Sequence, residues 1–454
     1  MSESNQHSKL SVVLRDYGMA GVLVLLCAFF SALTYTEQHP TGEAAAKQLA
    51  GDIAKQVGKS ARVFIAVRDQ GEDAAFATKL EAELKSAGAT VFATVKGEPK
   101  DAREALQKIS AAAAKLDVIA CNQATASWLV FGDLNNDFPS LGSPRVMRPR
   151  SYKWPNFLKR ENLLNIANQI AVIAIVAIGM TMVIITGGID LSVGSLIALS
   201  AVLATLFIRE FADAQQAGAF GMTLACLSAM LICGVAGGAT GIFVTLFNIP
   251  PFIVTLAMML VASGAAYLLT HGQSVYQVPD SFVWLGRGAD VLGVPNAVLL
   301  MALLYVAAHI VMSRTTLGRY LYGVGGNRVA ARFSGVPVRR VLLVGYIVSG
   351  MLAGLGGVVL ASQLKSGSPT FGQMYELYVI AAVVVGGASL GGGEGRMFGT
   401  LIGAFIIAVI QNGMNLTNVE SYTQKVVLGL VILAAVLLDQ FRQRGWSWKA
   451  VTRA

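Results

Sequence analysis

Residues 163–186 read LLNIANQIAVIAIVAIGMTMVIIT, without one charged side chain. A helix rising about 1.5 Å per residue needs roughly 20 such residues to cross a hydrocarbon core about 30 Å thick, so this stretch predicts a membrane span. Comparable runs follow near 191–208, 219–247, 251–270, 295–312, 341–362, 375–390, 397–411 and 422–438, and one precedes it at Tyr17 to Tyr35. The pattern predicts an all-α polytopic membrane protein of about ten transmembrane helices. The count turns on the Gly-rich interruptions 187–194 and 386–395, which read either as turns between helices or as breaks within one.

Composition agrees. Of 454 residues 54% are hydrophobic and 13% charged, with mean hydropathy +0.60, whereas a soluble domain carries about 25% charged residues. The formal charge of +9 suggests nucleic acid only until its distribution is read. Lys and Arg cluster between apolar runs and at the tail, as cytoplasmic loops require, so the charge encodes topology. Cys27, Cys121, Cys226 and Cys233 form no CxxC pair, and His7, His39, His271 and His309 have no HExxH spacing. Neither a disulfide framework nor a metal site is expected, which argues against metalloenzyme chemistry. The run Tyr17–Tyr35 follows a basic start but lacks an A-x-A cleavage site before Thr36, so it reads as a retained helix.

Between about Glu37 and Arg150 hydrophobicity collapses and helix and strand signatures alternate. Helices are expected at Glu43–Val57, Glu72–Ala87 and Asp101–Leu116, and strands at Arg62–Val67, Thr90–Val95 and Asp117–Cys121. This predicts a small soluble α/β insert with a parallel sheet. The chain then divides into an N-terminal tail with the first helix (1–36), the insert (37–150), a transmembrane domain (151–440) and a tail (441–454).

The segment Ser313–Arg340 holds Arg314, Arg319, Arg328, Arg332, Arg339 and Arg340 and no acid, so it is expected in the cytoplasm. The tail, with Arg442, Arg444, Lys449 and Arg453, and the N-terminus should share that side, which an even number of spans satisfies. The insert is then periplasmic. Against this runs a basic group, Arg145, Arg148, Arg150, Lys153, Lys159 and Arg160, which falls on the outer side; long translocated domains are partly exempt from the charge rule.

Two strings imitate enzyme motifs and fail on context. Gly58-Lys59-Ser60 lacks the glycine five places earlier that a P-loop needs, since Ile53 stands there. Gly387-Ala388-Ser389-Leu390-Gly391 matches GxSxG but lies in a membrane run, where small residues more simply serve helix packing. No catalytic residue is expected. More informative is Gly187-Gly188-Ile189-Asp190-Leu191-Ser192-Val193-Gly194-Ser195, which sets a carboxylate between two apolar segments. Asp190 is expected to cap the next helix, and Gly187, Gly188, Asp190, Ser192 and Gly194 are candidates for the substrate pathway, as at broken transporter helices. The third string runs Gly325-Gly326-Asn327-Arg328-Val329-Ala330-Ala331-Arg332-Phe333-Ser334-Gly335-Val336. Bounded by glycines, it reads either as a docking segment for a partner or as an Arg-rich loop on lipid head groups.

Together with Asn162-Leu163-Leu164-Asn165-Ile166, Thr316-Leu317-Gly318-Arg319-Tyr320, Gly395-Arg396 and Gly399-Thr400-Leu401-Ile402-Gly403, these strings resemble the membrane subunits of ribose, xylose, galactose and autoinducer-2 ABC importers, from about Asn156 to Asp439. The resemblance implies a transport subunit in the bacterial inner membrane. It would work with a second permease copy, a cytoplasmic ABC ATPase and a periplasmic sugar-binding protein, with no cofactor in this chain and ATP and Mg bound by the partner subunits. It makes 326–336 the segment gripped by the ATPase, with Gly325, Gly326, Asn327, Arg328, Ala330, Ala331, Arg332, Ser334 and Gly335 as coupling residues. The chain departs from the pattern at Arg328, where relatives often carry an acid, and in the insert, which resembles part of one lobe of a sugar-binding protein. An ion-coupled secondary transporter is the alternative, short of intramembrane acids; a receptor ranks last, because little chain follows Asp439 to form an output domain.

Overall fold

The computed structural model describes residues 3–444, with side chains from Gly18 to Leu437. The expected tail lies largely outside them: its first residues, 441–444, end the last helix. Contacts divide the chain into two compact units, 35–155 and the remainder.

The chain enters as α1 (Glu3–Leu33). The 35–155 unit opens with β1 (Tyr35–Gln38) and closes with β6 (Tyr152–Pro155), which pair antiparallel. That ladder carries its bounds beyond 37 and 150. Inside run α2 (Gly42–Gln56), β2 (Arg62–Val67), α3 (Gly71–Ser86), β3 (Thr90–Lys96), α4 (Pro99–Ala111), β4 (Val118–Cys121), the single turn α5 (Leu134–Asp137) and β5 (Arg145–Met147). Helix α4 stops five residues short of the expected Leu116, with Ala113 at φ +50° just beyond its end. The four inner strands form a parallel sheet in the order β3-β2-β4-β5.

Strand β2 shows why this sheet is layered. Its side chains alternate between two cores: Val63, Ile65 and Val67 pack with Leu49, Ile53, Phe76 and Leu80 of α2 and α3, while Phe64 and Ala66 pack with Leu106 of α4 and Leu141. Burial on both faces is the ordinary condition of parallel strands. At the start of β2, Arg62 forks onto Asp117 through Nε at 2.9 Å and Nη2 at 2.7 Å, and its backbone N–H adds a third bond at 2.8 Å. Arg62 thereby holds the Asp117 carboxyl below its ordinary range.

The other unit continues with α6 (Arg160–Ile185), α7 (Val193–Phe211), α8 (Ala219–Leu246), α9 (Pro251–Thr270), the short α10 (Trp284–Arg287), α11 (Asn296–Arg314), α12 (Thr316–Gly326), α13 (Arg328–Phe333), α14 (Val338–Leu364), α15 (Tyr375–Val385), α16 (Met397–Leu416) and α17 (Ser421–Arg444). Among the described residues seven helices are long and apolar enough to cross a membrane: α6, α7, α8, α9, α11, α14 and α16. Three shorter apolar helical segments accompany them, at Gly18–Leu33, Tyr375–Val385 and Ser421–Leu437.

Helix α6 is apolar all round and buried from Ile170 to Ile185, the signature of a helix at the centre of a bundle. Small residues bring α14 against it and against α7. A Cβ on Gly179 would lie 2.6 Å from Ser349 Cα, and one on Gly357 would lie 2.8 Å from Ser200 Cβ. Close backbones replace the hydrophobic drive that lipid cannot supply. Ser200 Oγ donates to the Gly354 carbonyl at 2.6 Å and Tyr305 Oη to that of Ala174 at 2.9 Å. Helices α8 and α9 instead turn Leu224, Leu231, Val235, Ile253, Leu260 and Leu268 outward.

Candidate functional site

The three strings singled out in the sequence meet. Gly393 N–H donates to the Ile185 carbonyl at 2.8 Å, joining loop 386–395 to the end of α6. Gly393 has φ +78°, a left-handed backbone that a side chain strains, and a Cβ there would lie 3.0 Å from Gly326 Cα. On Gly325 a Cβ would overlap the Ile185 carbonyl oxygen and the Gly393 nitrogen outright. Only hydrogen at both positions lets three backbones pass through one point. Two side chains fasten the crossing: Tyr322 Oη donates to the Gly395 carbonyl at 2.7 Å, and Arg328 Nη2 to the Thr186 carbonyl at 3.0 Å.

Beyond the crossing the coupling candidates separate by role. Asn327 caps α13, its Oδ1 accepting from Val329 N–H at 3.0 Å and Ala330 N–H at 2.9 Å. Gly335, at φ +83°, ends it, and Val336 N–H returns to the Ala331 carbonyl at 3.0 Å. Ala331 is buried, so it anchors the helix. Ala330, Arg332, Ser334 and Gly335 are exposed, and so are Val329 and Phe333, the latter at 88%. Phe333 therefore stands exposed beside Arg332 on a short capped helix. Gly326 is exposed; Gly325 faces the crossing and Arg328 reaches inward to Thr186.

Asp190 follows the crossing along the chain and is only 1% exposed. Its Oδ1 accepts from Ser192 N–H at 3.1 Å and Ser192 Oγ at 2.6 Å, and its Oδ2 from Ser349 Oγ on α14 at 2.8 Å. The expected capping is thereby corrected: Ser192 occupies the N-cap position of α7, and Asp190 holds Ser192 rather than the free amides of the first turn. Ser349, which completes the carboxylate's shell, gave no sequence signal, since a serine in an apolar helix is unremarkable. Near Gly188 lies Tyr346 Oη, the buried side-chain polar atom without a partner among the described residues.

Of the pathway candidates, Asp190 and Ser192 are sealed, Gly187 is exposed beside the crossing, Gly188 faces Tyr346, and Gly194 lines a cleft. The cleft, of about 300 Å³, lies between the start of α7, the middle of α9 and the segment 369–376. Its polar edge is Ser195, Ser263, Gln373 and Glu376. Helix α15 has 11 residues, about 16 Å of rise and half of a hydrocarbon core. Its far end leads into loop 386–395 at the crossing, and Glu376 stands in its first turn. Ser263, near the middle of the 20-residue α9, lines the same cleft.

A family described as "Branched-chain amino acid transport system / permease component" matches residues 162–436. The chain is 44% identical over 294 residues to the ribose import permease protein of Escherichia coli (strain K12), covering 64% of this chain and 88% of that one. It is 43% identical over 288 residues to the ribose import permease protein of Bacillus subtilis (strain 168), covering 63% and 87%. With the D-allose transport system permease protein of Escherichia coli (strain K12) the identity is 36% over 284 residues, covering 63% and 85%. No solved structure matches.

Proposed function

The chain belongs to the family of branched-chain amino acid transport system permease components, and on that premise we propose that it is the membrane-spanning subunit of an ATP-driven ABC importer that carries a ribose-like monosaccharide across the bacterial inner membrane. The sugar class is favoured over an amino acid because relatives at 36–44% identity are named for ribose and allose. The observation that carries the coupling is the exposed, capped α13 fastened by Arg328 to the turn before Asp190.

In this reading ten segments cross the bilayer, the seven long helices together with α1, α17 and the stretch 366–385 that ends in α15, and both termini lie in the cytoplasm. The 35–155 unit is then periplasmic. A second copy of the chain completes the channel, a periplasmic sugar-binding protein delivers substrate, and the ATPase, holding ATP and Mg, grips α13. Closure of the ATPase pair moves α13, and the crossing carries that movement to the Asp190 turn and the cleft. Partners that bind inward and outward states unequally shift the population between them.

The test is co-purification with the partner ABC ATPase, comparing wild type with Arg332→Glu and Phe333→Asp. Retained folding with lost ATPase binding and lost sugar uptake supports the reading. Vesicles that accumulate sugar on an ion gradient alone, without the ATPase, would replace it with a secondary transporter.

A further inference from the structure

The described membrane unit holds two interior carboxylates, and they stand in opposite conditions. Asp190 is sealed and its oxygens are occupied by Ser192 and Ser349. Glu376 is half-buried, opens on the cleft, and pairs with no basic side chain among the described residues. A half-buried ionisable group among apolar helices is costly and calls for a partner or a use.

We propose that Glu376 is the substrate-recognition residue of this subunit: with Ser195, Ser263 and Gln373 it forms a transit site for a neutral polyhydroxylated ligand of monosaccharide size. The inference rests on the importer reading and moves the pathway from the Asp190 turn to the cleft. Carboxylate oxygens accept two hydroxyl hydrogens at once, which suits a vicinal diol. Ser195 and Ser263 donate or accept from α7 and α9, and the Gln373 amide does both. Phe371 supplies an apolar wall for the C–H face of a sugar ring. The fit around the carboxylate is tight: a Cβ on Gly194 would fall on a Glu376 oxygen. A weak site of a few polar groups suits passage, because a ligand must leave as readily as it enters.

The test uses the assembled importer, this chain with its ATPase and binding protein, in proteoliposomes, measuring uptake of labelled ribose and allose. Glu376→Gln keeps the shape and removes the charge; it is expected to cut uptake about ten-fold or more and to change the ribose to allose ratio. Ser263→Cys, in a chain also carrying Cys27→Ser and Cys226→Ser, is expected to react with a small water-soluble thiol reagent more slowly when ribose is turning over. Wild-type rates and ratio in Glu376→Gln, or labelling indifferent to ribose, would overturn the inference while a working wild-type importer left the family reading intact. A changed thermal stability with unchanged transport would likewise overturn it, leaving Glu376 as a helix-terminus acid. If wild type moves sugar only on a proton gradient, both fall together, and Glu376 is a proton carrier.

Discussion

Arg328 Nη2 donates to the Thr186 carbonyl at 3.0 Å, joining the first residue of the exposed α13 to the turn that leads to Asp190. The arginine is itself exposed, so solvent holds the bond to about 1 kcal/mol, but it is placed where a small loosening has leverage. In Arg328→Ala, amides of 187–192 are expected to exchange several-fold faster in hydrogen-exchange measurements on the full chain, with distant helices unchanged. Arg328→Lys, whose ammonium still donates, should restore protection in part. Equal exchange in all three chains would remove the latch from the mechanism.

Gly325 and Gly323 form a matched pair of opposite expectation. A methyl on Gly325 overlaps two backbones, whereas one on Gly323 meets nothing within 4 Å. Gly325→Ala should destabilise by about 1–3 kcal/mol through overpacking, and Gly323→Ala should stabilise α12 by up to about 1 kcal/mol. Thermal unfolding of the purified chain in detergent reads both. Equal melting temperatures would mean that the crossing yields more easily than its geometry indicates.

Removing the Asp190 carboxyl strands the donors that it satisfies. Asp190→Ala leaves the Ser192 and Ser349 hydroxyls buried without their acceptor, at a cost of about 1–3 kcal/mol each at most. Asp190→Asn keeps one acceptor oxygen and should lose less, and Ser349→Ala about 1 kcal/mol. A melting order other than Ala below Asn below wild type would contradict the network.

In the 35–155 unit the Arg62 fork lowers the Asp117 carboxyl. A depressed folded-state value contributes stability that is present above the unfolded value, about 3.9, and is lost as pH falls through the folded one. Protection of the β2 and β4 amides should therefore fall below about pH 4 in wild type and fall less steeply in Asp117→Asn. Parallel slopes would show that the fork carries no pH dependence.

Burial on β4 pushes the Cys121 thiol up to about 12. At pH 8 the folded chain should leave it unmodified by a water-soluble maleimide, and denaturation should expose it. Rapid modification of the native chain would mean that this core opens.

What the sequence made legible follows from physics that is local. The apolar runs predicted α6 to α9, α11, α14 and α16 within a few residues because lipid imposes one length on every span. The short apolar run in Arg62–Val67 predicted β2, since a strand buried on both faces is apolar throughout. The crossing was half legible: Gly325 and Gly393 were conspicuous, but their meeting with Ile185 depends on three segments far apart in the chain. Ser349 and Glu376 were not legible as partners, since nothing in an apolar run says which face will meet Asp190 or a cleft. Asp190 attracted the pathway reading because it is the isolated charge in its string; only packing shows that its oxygens are already taken.

Thr34 ends α1 with a carbonyl that accepts from Asn156 N–H at 2.9 Å and a hydroxyl that accepts from Phe157 N–H at 3.1 Å. Two residues 122 positions apart are thus joined as though consecutive, and the 121 residues between them form a unit with its own cores. The chain leaves and re-enters at a single doorway. A gene that lost or exchanged this passage would keep its other helices in register. Replacing the 35–155 unit would leave the bonds from Thr34 to Asn156 and Phe157 available to close the chain on itself.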